Sequence, residues 1–497
     1  MSKPQVGQAK PGDPESRTVI QPKGFREYDA RWLYPDEINL RGARELGLGF
    51  GTLLYERGAK PEVVTGHDYR SYSAAVKEAL IEGLIAAGST VYDIGLAITP
   101  AAYYAQFALD VPAVAMVTAS HNPNGWTGVK MGLVRPFTLE PKEVNDLKNI
   151  VVEGRTMARD GGRLLDAANI RERYIAELTA RPRLKRRLRA VVACGNGTAG
   201  VFAPQVLNAI GCEVVPLHCE LDDSFPHYDP NPEDLVMLKS LSRAVLSAEA
   251  DIGFAFDGDG DRCGVVDNEG SPIFADKVGV LLARAIAGEH ANARFVVDVK
   301  STALFQSDPV LRSHGATTEY WKTGHSYIKR RTAEVDAIAG FEKSGHFFFR
   351  HPLGRGYDDG LLSAIAVCSL LDRANGRSMA ELYRDLPVTW GSPTMSPHCS
   401  DETKYGVVER VMRHFQNLLR KGDPFAGARL IDLNLINGAR ATLEDGSWCL
   451  IRASSNKPEL VVVCESPVSE KRMRQVFAAA ESLLSSFSEI GEFNQKL

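Results

Sequence analysis

Short apolar runs alternate with amphipathic segments along most of the chain. Runs at 63–64, 91–94 and 113–117 predict buried strands. Between the first two, 73–87 carries Val76, Leu80, Leu84 and Ile85 on one face and stops at Gly88, which predicts a helix; another starts after Pro100. This βαβαβ order implies a mostly parallel sheet with helices on both faces. After the basic, helical stretch 171–189 the pattern restarts, with strands at 188–194, 213–217 and 252–256 around helices at 201–210 and 232–246. It restarts again with a helix at 276–286, a strand at 295–299, a helix near 302–312, and strands at 317–321 and 337–341. The end of the chain differs. A helix at 405–419 precedes strands at 430–436, 448–451 and 460–464 and a closing helix at 469–487, and consecutive strands indicate an α+β domain with an antiparallel sheet.

The fold class expected is therefore α/β, three tandem similar domains with mixed, mostly parallel sheets, followed by a C-terminal α+β domain. The domains are set at 25–165, 166–271, 272–386 and 387–497, after a loose, disordered tail over 1–24 rich in Pro, Gly, Gln and charge. Aromatic and charged residues crowd Gly24 to Arg31, where the first strand is expected.

Composition narrows the function classes. With 497 residues the chain has room for three or four domains of ~100–150 residues. Its 58 Lys and Arg against 62 Asp and Glu argue against a surface built for nucleic acid or anionic lipid. No apolar run reaches the ~18 residues of a membrane span. Eight cysteines without a C-x-x-C pair suggest reduced, mostly buried thiols in a cytoplasmic protein, with neither a zinc site nor a disulfide framework.

Candidate chemistry sits directly after predicted strands, where ligands bind in open α/β sheets. The run 113–117 breaks into Thr118-Ala119-Ser120-His121-Asn122-Pro123 and continues to Lys130, which makes Ser120 a candidate nucleophile; its bland role would be capping the next turn. Asp257-Gly258-Asp259-Gly260-Asp261-Arg262 follows 252–256. Three alternating carboxylates suit a hard cation such as Mg²⁺. An EF-hand is excluded by Arg262 at the turn-glycine position, by Asn268 at position twelve, and by the preceding strand. Gly195-Asn196-Gly197-Thr198-Ala199-Gly200, with Glu220 twenty residues on, fits a dinucleotide fingerprint and keeps an oxidoreductase as a rival. Glu342-Lys343-Ser344-Gly345-His346 can bind sugar hydroxyls, Lys322-Thr323-Gly324-His325-Ser326 can offer His325 as an acid or base, and Arg452-Ala453-Ser454-Ser455-Asn456-Lys457-Pro458 suits a phosphate dianion.

Together, T-A-S-H-N-P with its later Lys, D-G-D-G-D-R, E-x-S-G-H and R-x-S-x-x-x-P resemble the α-D-phosphohexomutase superfamily over essentially the whole chain after Gly24. F-R-x-Y-D-x-R and K-T-G-H-S-x-I-K make it most similar to the bacterial phosphomannomutase/phosphoglucomutase branch. The resemblance implies four domains around a central cleft, the fourth mobile, and a structural turn at G-N-G-T-A-G. It implies interconversion of hexose 1-phosphate and hexose 6-phosphate, of mannose and/or glucose, through a phosphoserine and a hexose 1,6-bisphosphate that also acts as activator. Ser120 would carry the phosphoryl group and, with Asp257, Asp259 and Asp261, hold Mg²⁺. Arg262 would lie beside the phosphoserine. Lys130 and His325 would be acid/base candidates, and Arg31 would join the catalytic set. Glu342 and Ser344 would grip sugar hydroxyls; Tyr28, Lys300 and His346 would line the cleft; Arg452, Ser454 and Asn456 would clamp the unreactive phosphate. Hexose phosphates would be the partners, without nucleic acid or membrane, for a monomer or weak homo-oligomer. Alternatives on the same scaffold are a phosphoglucosamine mutase and a non-enzymatic sugar-phosphate sensor. Two departures stand out: Ser455-Asn456-Lys457 replace the family's usual [GN]-T-[ET], and Trp32 stands where many relatives carry Gly.

Overall fold

The computed structural model describes residues 17–181, 183–455 and 457–495. They form two compact units: the first runs to Pro272 and takes in Tyr357–Gly376, and the second comprises Ile273–Gly356 and the chain from Arg377 onward.

In the first unit a six-stranded sheet is ordered Ala30–Leu33, Trp126–Gly132, Ala113–Val117, Glu62–His67, Thr90–Leu96, Arg163–Asp166. The last four are parallel, as the βαβαβ pattern predicts, and the first two add an antiparallel margin that sets Lys130 opposite Met116. A second sheet includes, in order, Cys263–Asp267, Ile252–Phe256, Arg189–Ala193 and Glu213–Leu217, with Cys263–Asp267 antiparallel to Ile252–Phe256 and the other two pairs parallel.

The helix Leu40–Glu56 was not anticipated, because Gly42, Gly47, Gly49 and Gly51 lower its helix propensity. Those glycines serve contact instead. A Cβ on Gly47 would lie 2.1 Å from the Leu80 carbonyl oxygen, and one on Gly83 would lie 1.9 Å from that of Arg44, so this helix and Ser73–Ala86 touch backbone to backbone.

The tail expected over 1–24 is corrected for its described part. Val19 N–H donates to Asn39 Oδ1 (3.0 Å), Asn39 Nδ2 donates to the Arg17 carbonyl (2.7 Å), and Ile20 bridges Ile38. Residues 1–16 lie outside the described residues. Trp32 explains part of this anchoring. Its indole donates to the Gln21 carbonyl at 2.8 Å, its ring covers Gly24, and Phe25 meets it edge-on at 5.2 Å.

Residues 357–376, expected in the third domain, pack in the first unit. The helix Gly360–Asp372 brings Gly360 N–H to the Gly260 carbonyl (3.1 Å), and its cap Asp359 accepts from the Tyr174 hydroxyl (2.9 Å). No local pattern carries that information, since the helix is apolar all round.

The second unit holds a sheet ordered Thr317–Trp321, Arg294–Asp298, Ala339–Phe341, Phe347–Phe349, parallel except for its last strand. The helix expected over 302–312 is two pieces, Leu304–Ser307 and Pro309–Ser313: Pro309 lacks an N–H, and Asp308 caps the second piece through Val310 and Leu311 N–H at 3.0 Å each. The C-terminal sheet is wholly antiparallel, as expected, and includes Ala439–Leu443, a short strand not anticipated, whose polar Arg440 is itself buried.

Candidate active site

The strand Ala113–Val117 is buried throughout, so the chain turns where polar residues begin. Thr118 serves that turn by accepting the Ser120 N–H on its hydroxyl at 2.9 Å. Ser120 does something else. Its φ is 52°, a left-handed conformation that costs a residue with a Cβ about 1–2 kcal/mol. Only 3% exposed, it donates its hydroxyl to Asp257 Oδ2 at 3.0 Å, and Oγ lies 3.3 Å from His121 Nδ1.

Asp257, Asp259 and Asp261 are fully buried, and each offers an oxygen within 4.8 Å of the others. The intervening glycines permit this approach: a Cβ on Gly258 would lie 2.5 Å from the Ser120 carbonyl oxygen, and Gly260 has φ 71°. Cations flank the cluster. Arg262 donates from Nε to Asp257 Oδ2 (2.9 Å) and from its backbone to Oδ1 (3.1 Å), and Lys130 donates to Asp259 (2.7 Å) and Asp261 (2.5 Å). Thr99 donates to Asp259 Oδ2 at 2.6 Å. Burial opposes the Lys130 charge, but Asp259 and Asp261 outweigh it and hold its pKa well above the usual lysine value. Burial likewise opposes the Asp259 charge, and Lys130 outweighs it, leaving that carboxyl well below the usual range.

Asp259 Oδ1 is buried with no hydrogen-bond partner among the described residues. Leaving such an oxygen orphaned is costly. The all-oxygen donor set with this spare atom therefore fits a hard divalent cation.

Arg31 joins the same centre. It donates to Asn122 Oδ1 (2.7 Å), the Ala119 carbonyl (3.4 Å) and Asp29 (3.0 Å); burial would lower its pKa, and Asp29 outweighs that and raises it, with a contribution from Asp259. Tyr28, also buried, lies just before the Arg31 strand.

Three residues here escaped sequence reasoning. Asp68 and Arg70, just beyond the strand Glu62–His67, bond to the serine loop, and Thr99 to the aspartate loop. The one signal available was position: Asp68 and Arg70 follow the strand adjacent to Ala113–Val117.

In the second unit Glu342 is buried and accepts from Ser344 Oγ (2.9 Å) and the Gly324 N–H (3.1 Å), and burial pushes its carboxyl up. Asp298 accepts from Thr323 Oγ1 (3.1 Å) and the Lys343 N–H (3.2 Å), with Lys300 Nζ 3.9 Å away. His325, buried at the start of the helix His325–Glu334, lies 5.6 Å from the His346 ring, centroid to centroid. These five predicted residues, Lys300, His325, Glu342, Ser344 and His346, are brought together by adjoining strand ends.

Arg452, near the end of the strand Trp448–Ala453, and Ser454, in the turn that leads to Leu460–Ser466, stand apart from them. Arg452 donates to Ser455 Oγ (3.1 Å), while its buried Nε has no partner among the described residues. Lys404, 3% exposed, props the turn from beneath by donating to the carbonyls of Ser454 (2.6 Å) and Lys457 (3.0 Å). Asn456 lies outside the described residues. The turn at Asn437-Gly438 links the two groups: Asn437 Oδ1 accepts the Thr323 N–H at 3.2 Å, and a Cβ on Gly438 would lie 2.7 Å from that of Arg452. Arg440 adds a second link, donating to the Val299 (2.6 Å) and Ser301 (2.7 Å) carbonyls that flank Lys300.

Family models match the chain in sequence: phosphoglucomutase/phosphomannomutase alpha/beta/alpha domain I over residues 22–157, domain II over 172–270, domain III over 274–389, and the C-terminal domain over 400–482. The chain belongs to the phosphoglucomutase/phosphomannomutase family. A phosphomannomutase/phosphoglucomutase of Pseudomonas putida is 34% identical over 456 residues, 91% of this chain and 94% of that one. A phosphoglucomutase of Neisseria gonorrhoeae is 30% identical over 474 residues, 95% and 97% of the two chains. A solved phosphoglucomutase/phosphomannomutase family protein from Burkholderia thailandensis superposes with a TM-score of 0.83 at 29% identity, covering 94% of this chain and 98% of its own. Within a phosphoglucomutase/phosphomannomutase the dinucleotide reading of Gly195 to Gly200 falls away. Here that stretch backs the aspartate loop: Thr198 N–H donates to the Gly258 carbonyl at 3.0 Å, and a Cβ on Gly197 would lie 2.9 Å from the Gly258 Cα. Among the described residues no helix is long and apolar enough to cross a membrane.

Proposed function

We propose that this chain interconverts the 1- and 6-phosphates of glucose and mannose through a phosphoserine at Ser120 and a hexose 1,6-bisphosphate, which also serves as activator, with Mg²⁺ held by Asp257, Asp259 and Asp261. The observation that carries the reading is the buried Ser120 hydroxyl, 3.0 Å from one carboxylate of an all-oxygen cluster whose Asp259 Oδ1 is unpartnered.

The charges suit phosphoryl transfer. Three carboxylates against Lys130 and Arg262 leave one negative charge. A divalent cation bound there reverses that sign and neutralises charge on the transferring group. Arg262 donates to the same Asp257 oxygen that accepts the Ser120 hydroxyl, which suits it to the same charge. The hexose hydroxyl forms its bond to phosphorus as the bond from phosphorus to Ser120 Oγ breaks. His325 suits the base that takes the hydroxyl proton, and Lys130, held protonated by Asp259 and Asp261, suits only the acid. The bisphosphate returns its other phosphate to Ser120 after turning end for end. Transfer of this kind is chiefly positioning and electrostatics. Glu342 and Ser344 suit the 3- and 4-hydroxyls that glucose and mannose share, with Lys300 and His346 beside them, and Tyr28 suits a substrate-binding role in the first unit. Arg452 and Ser454, with Asn456, suit the phosphate that does not react; the two retained donors support this despite the altered residues after them.

Phosphorus NMR tests the proposal. Purified protein with Mg²⁺ and a trace of glucose 1,6-bisphosphate is given α-glucose 1-phosphate or α-mannose 1-phosphate, beside Ser120→Ala. Conversion of both sugars, lost in the variant, is expected. Conversion of one corrects the substrate, and conversion of neither refutes the proposal.

A further inference from the structure

We infer that Asp68 and Arg70 are positioning residues for phosphoryl transfer, which together hold Ser120 in the left-handed conformation from which its hydroxyl meets Asp257. The inference rests on Ser120 as the phosphoryl carrier.

Donors converge on Asp68, itself 1% exposed, from both flanks of the site. Thr118 Oγ1 donates at 2.9 Å, the Ala119 N–H at 3.3 Å, and Ser73 Oγ at 2.6 Å. Arg70 binds the same carboxylate through its backbone N–H (3.3 Å) and through NH1. The other terminal nitrogen of Arg70 donates to the carbonyls of Ser120 (3.1 Å) and Asn122 (2.6 Å). The carboxylate thus grips the two residues before the serine, and the guanidinium grips the serine and the second residue after it.

A non-glycine residue keeps a positive φ only where its surroundings over-determine it, and this pair supplies that constraint from one rigid ion pair. The clamp is shielded. The Phe225 ring lies 5.4 Å from the Arg70 guanidinium carbon, and Asp223 Oδ2 accepts the Ser71 N–H at 2.8 Å, so the loop after the strand Glu213–Leu217 covers it. With Arg70 only 4% exposed, its bonds to the two carbonyls compete little with water. The residues act through the main chain, so their removal changes where Ser120 Oγ points without removing a group that touches substrate.

The test uses the full chain with Asp68→Asn, Arg70→Met and Arg70→Lys. Three quantities are measured for each: the rate of labelled phosphoryl transfer from glucose 1,6-bisphosphate to the protein, kcat and KM with glucose 1-phosphate, and the thermal midpoint. A misplaced reacting atom costs rate more than binding, so Asp68→Asn and Arg70→Met are expected to lose about 10²-fold in kcat and in labelling rate, with KM within about threefold. Arg70→Lys should recover only part, because a single ammonium on a shorter stem cannot hold the Asp68 carboxylate through one nitrogen and both carbonyls through another, as the guanidinium does. Folded variants that label at the parent rate would overturn the inference, as would losses that fall on KM or follow the thermal midpoint alone. Should Asp68→Asn fail to fold, the two Arg70 variants decide. A parent protein that takes no label on Ser120 would instead refute the carrier assignment beneath it.

Discussion

Asp359→Asn should make the stability of the first unit depend less on pH. Asp359 is 1% exposed, caps the helix Gly360–Asp372 through the Leu361 and Leu362 N–H groups at 2.9 Å each, and accepts from the Tyr174 hydroxyl at 2.9 Å. Burial pushes its carboxyl from 3.8 up to about 6, despite the opposing hydrogen bonds. A folded pKa above the unfolded one means that the native state binds the extra proton between those values. The group therefore stabilises the protein below about pH 4 and loses that contribution as pH rises through 6. The full gap of about two units corresponds to about 3 kcal/mol, and the part realised between pH 8 and pH 5 is about 1.4 kcal/mol. Asparagine keeps the capping oxygen, and the Tyr174 hydroxyl can turn from donor to acceptor, so the variant forfeits only the charge assistance of the cap, about 0.5–1 kcal/mol. Urea unfolding followed by fluorescence at about pH 5 and about pH 8 should show the variant gaining on the parent by more than about 1 kcal/mol at the higher pH. A variant-minus-parent difference that stays flat across that range would show that Asp359 titrates alike in the folded and unfolded chain, and would refute the reasoning.

Two further substitutions test the packing. Gly47→Ala should cost about 3 kcal/mol, because its Cβ would meet backbone at 2.1 Å, whereas Gly406→Ala, in an open position of the helix Lys404–Lys421, should gain about 0.5–1 kcal/mol; opposite signs in thermal unfolding check both. Lys277→Met should destabilise the second unit by about 3–5 kcal/mol, since it strips a buried Glu465 of its 2.6 Å partner. Adding Glu465→Leu should not restore it, because Thr302, Thr389, Trp448 and the Ala303 N–H would lose their acceptor, which calorimetry of the single and double variants would reveal.

What could be read from residues alone follows a physical divide. Ser120, the three aspartates and Glu342 were legible because each sits in a short loop whose composition departs sharply from the apolar strand before it, and the strand periodicity itself places those loops; Arg452, inside the strand Trp448–Ala453, was legible from the polar turn that follows it. Asp68 and Arg70 were not, since H-D-Y-R is an ordinary polar turn until the neighbouring strand brings Ser120 across to it. The helix Leu40–Glu56 was hidden by glycines whose purpose is contact with another helix. The place of Gly360–Asp372 in the first unit depends on Gly260 and Tyr174, both distant in the chain, and no window of sequence holds all three.

Arg70 grips the serine loop by carbonyl oxygens, which every amino acid possesses. On the proposed role of Ser120, genetic drift at position 120 would therefore abolish the chemistry before it disturbed the loop. A duplicated gene that lost its serine would inherit an intact ligand cradle, which makes a scaffold of this kind a short evolutionary step from a receptor that reports on sugar phosphates without consuming them.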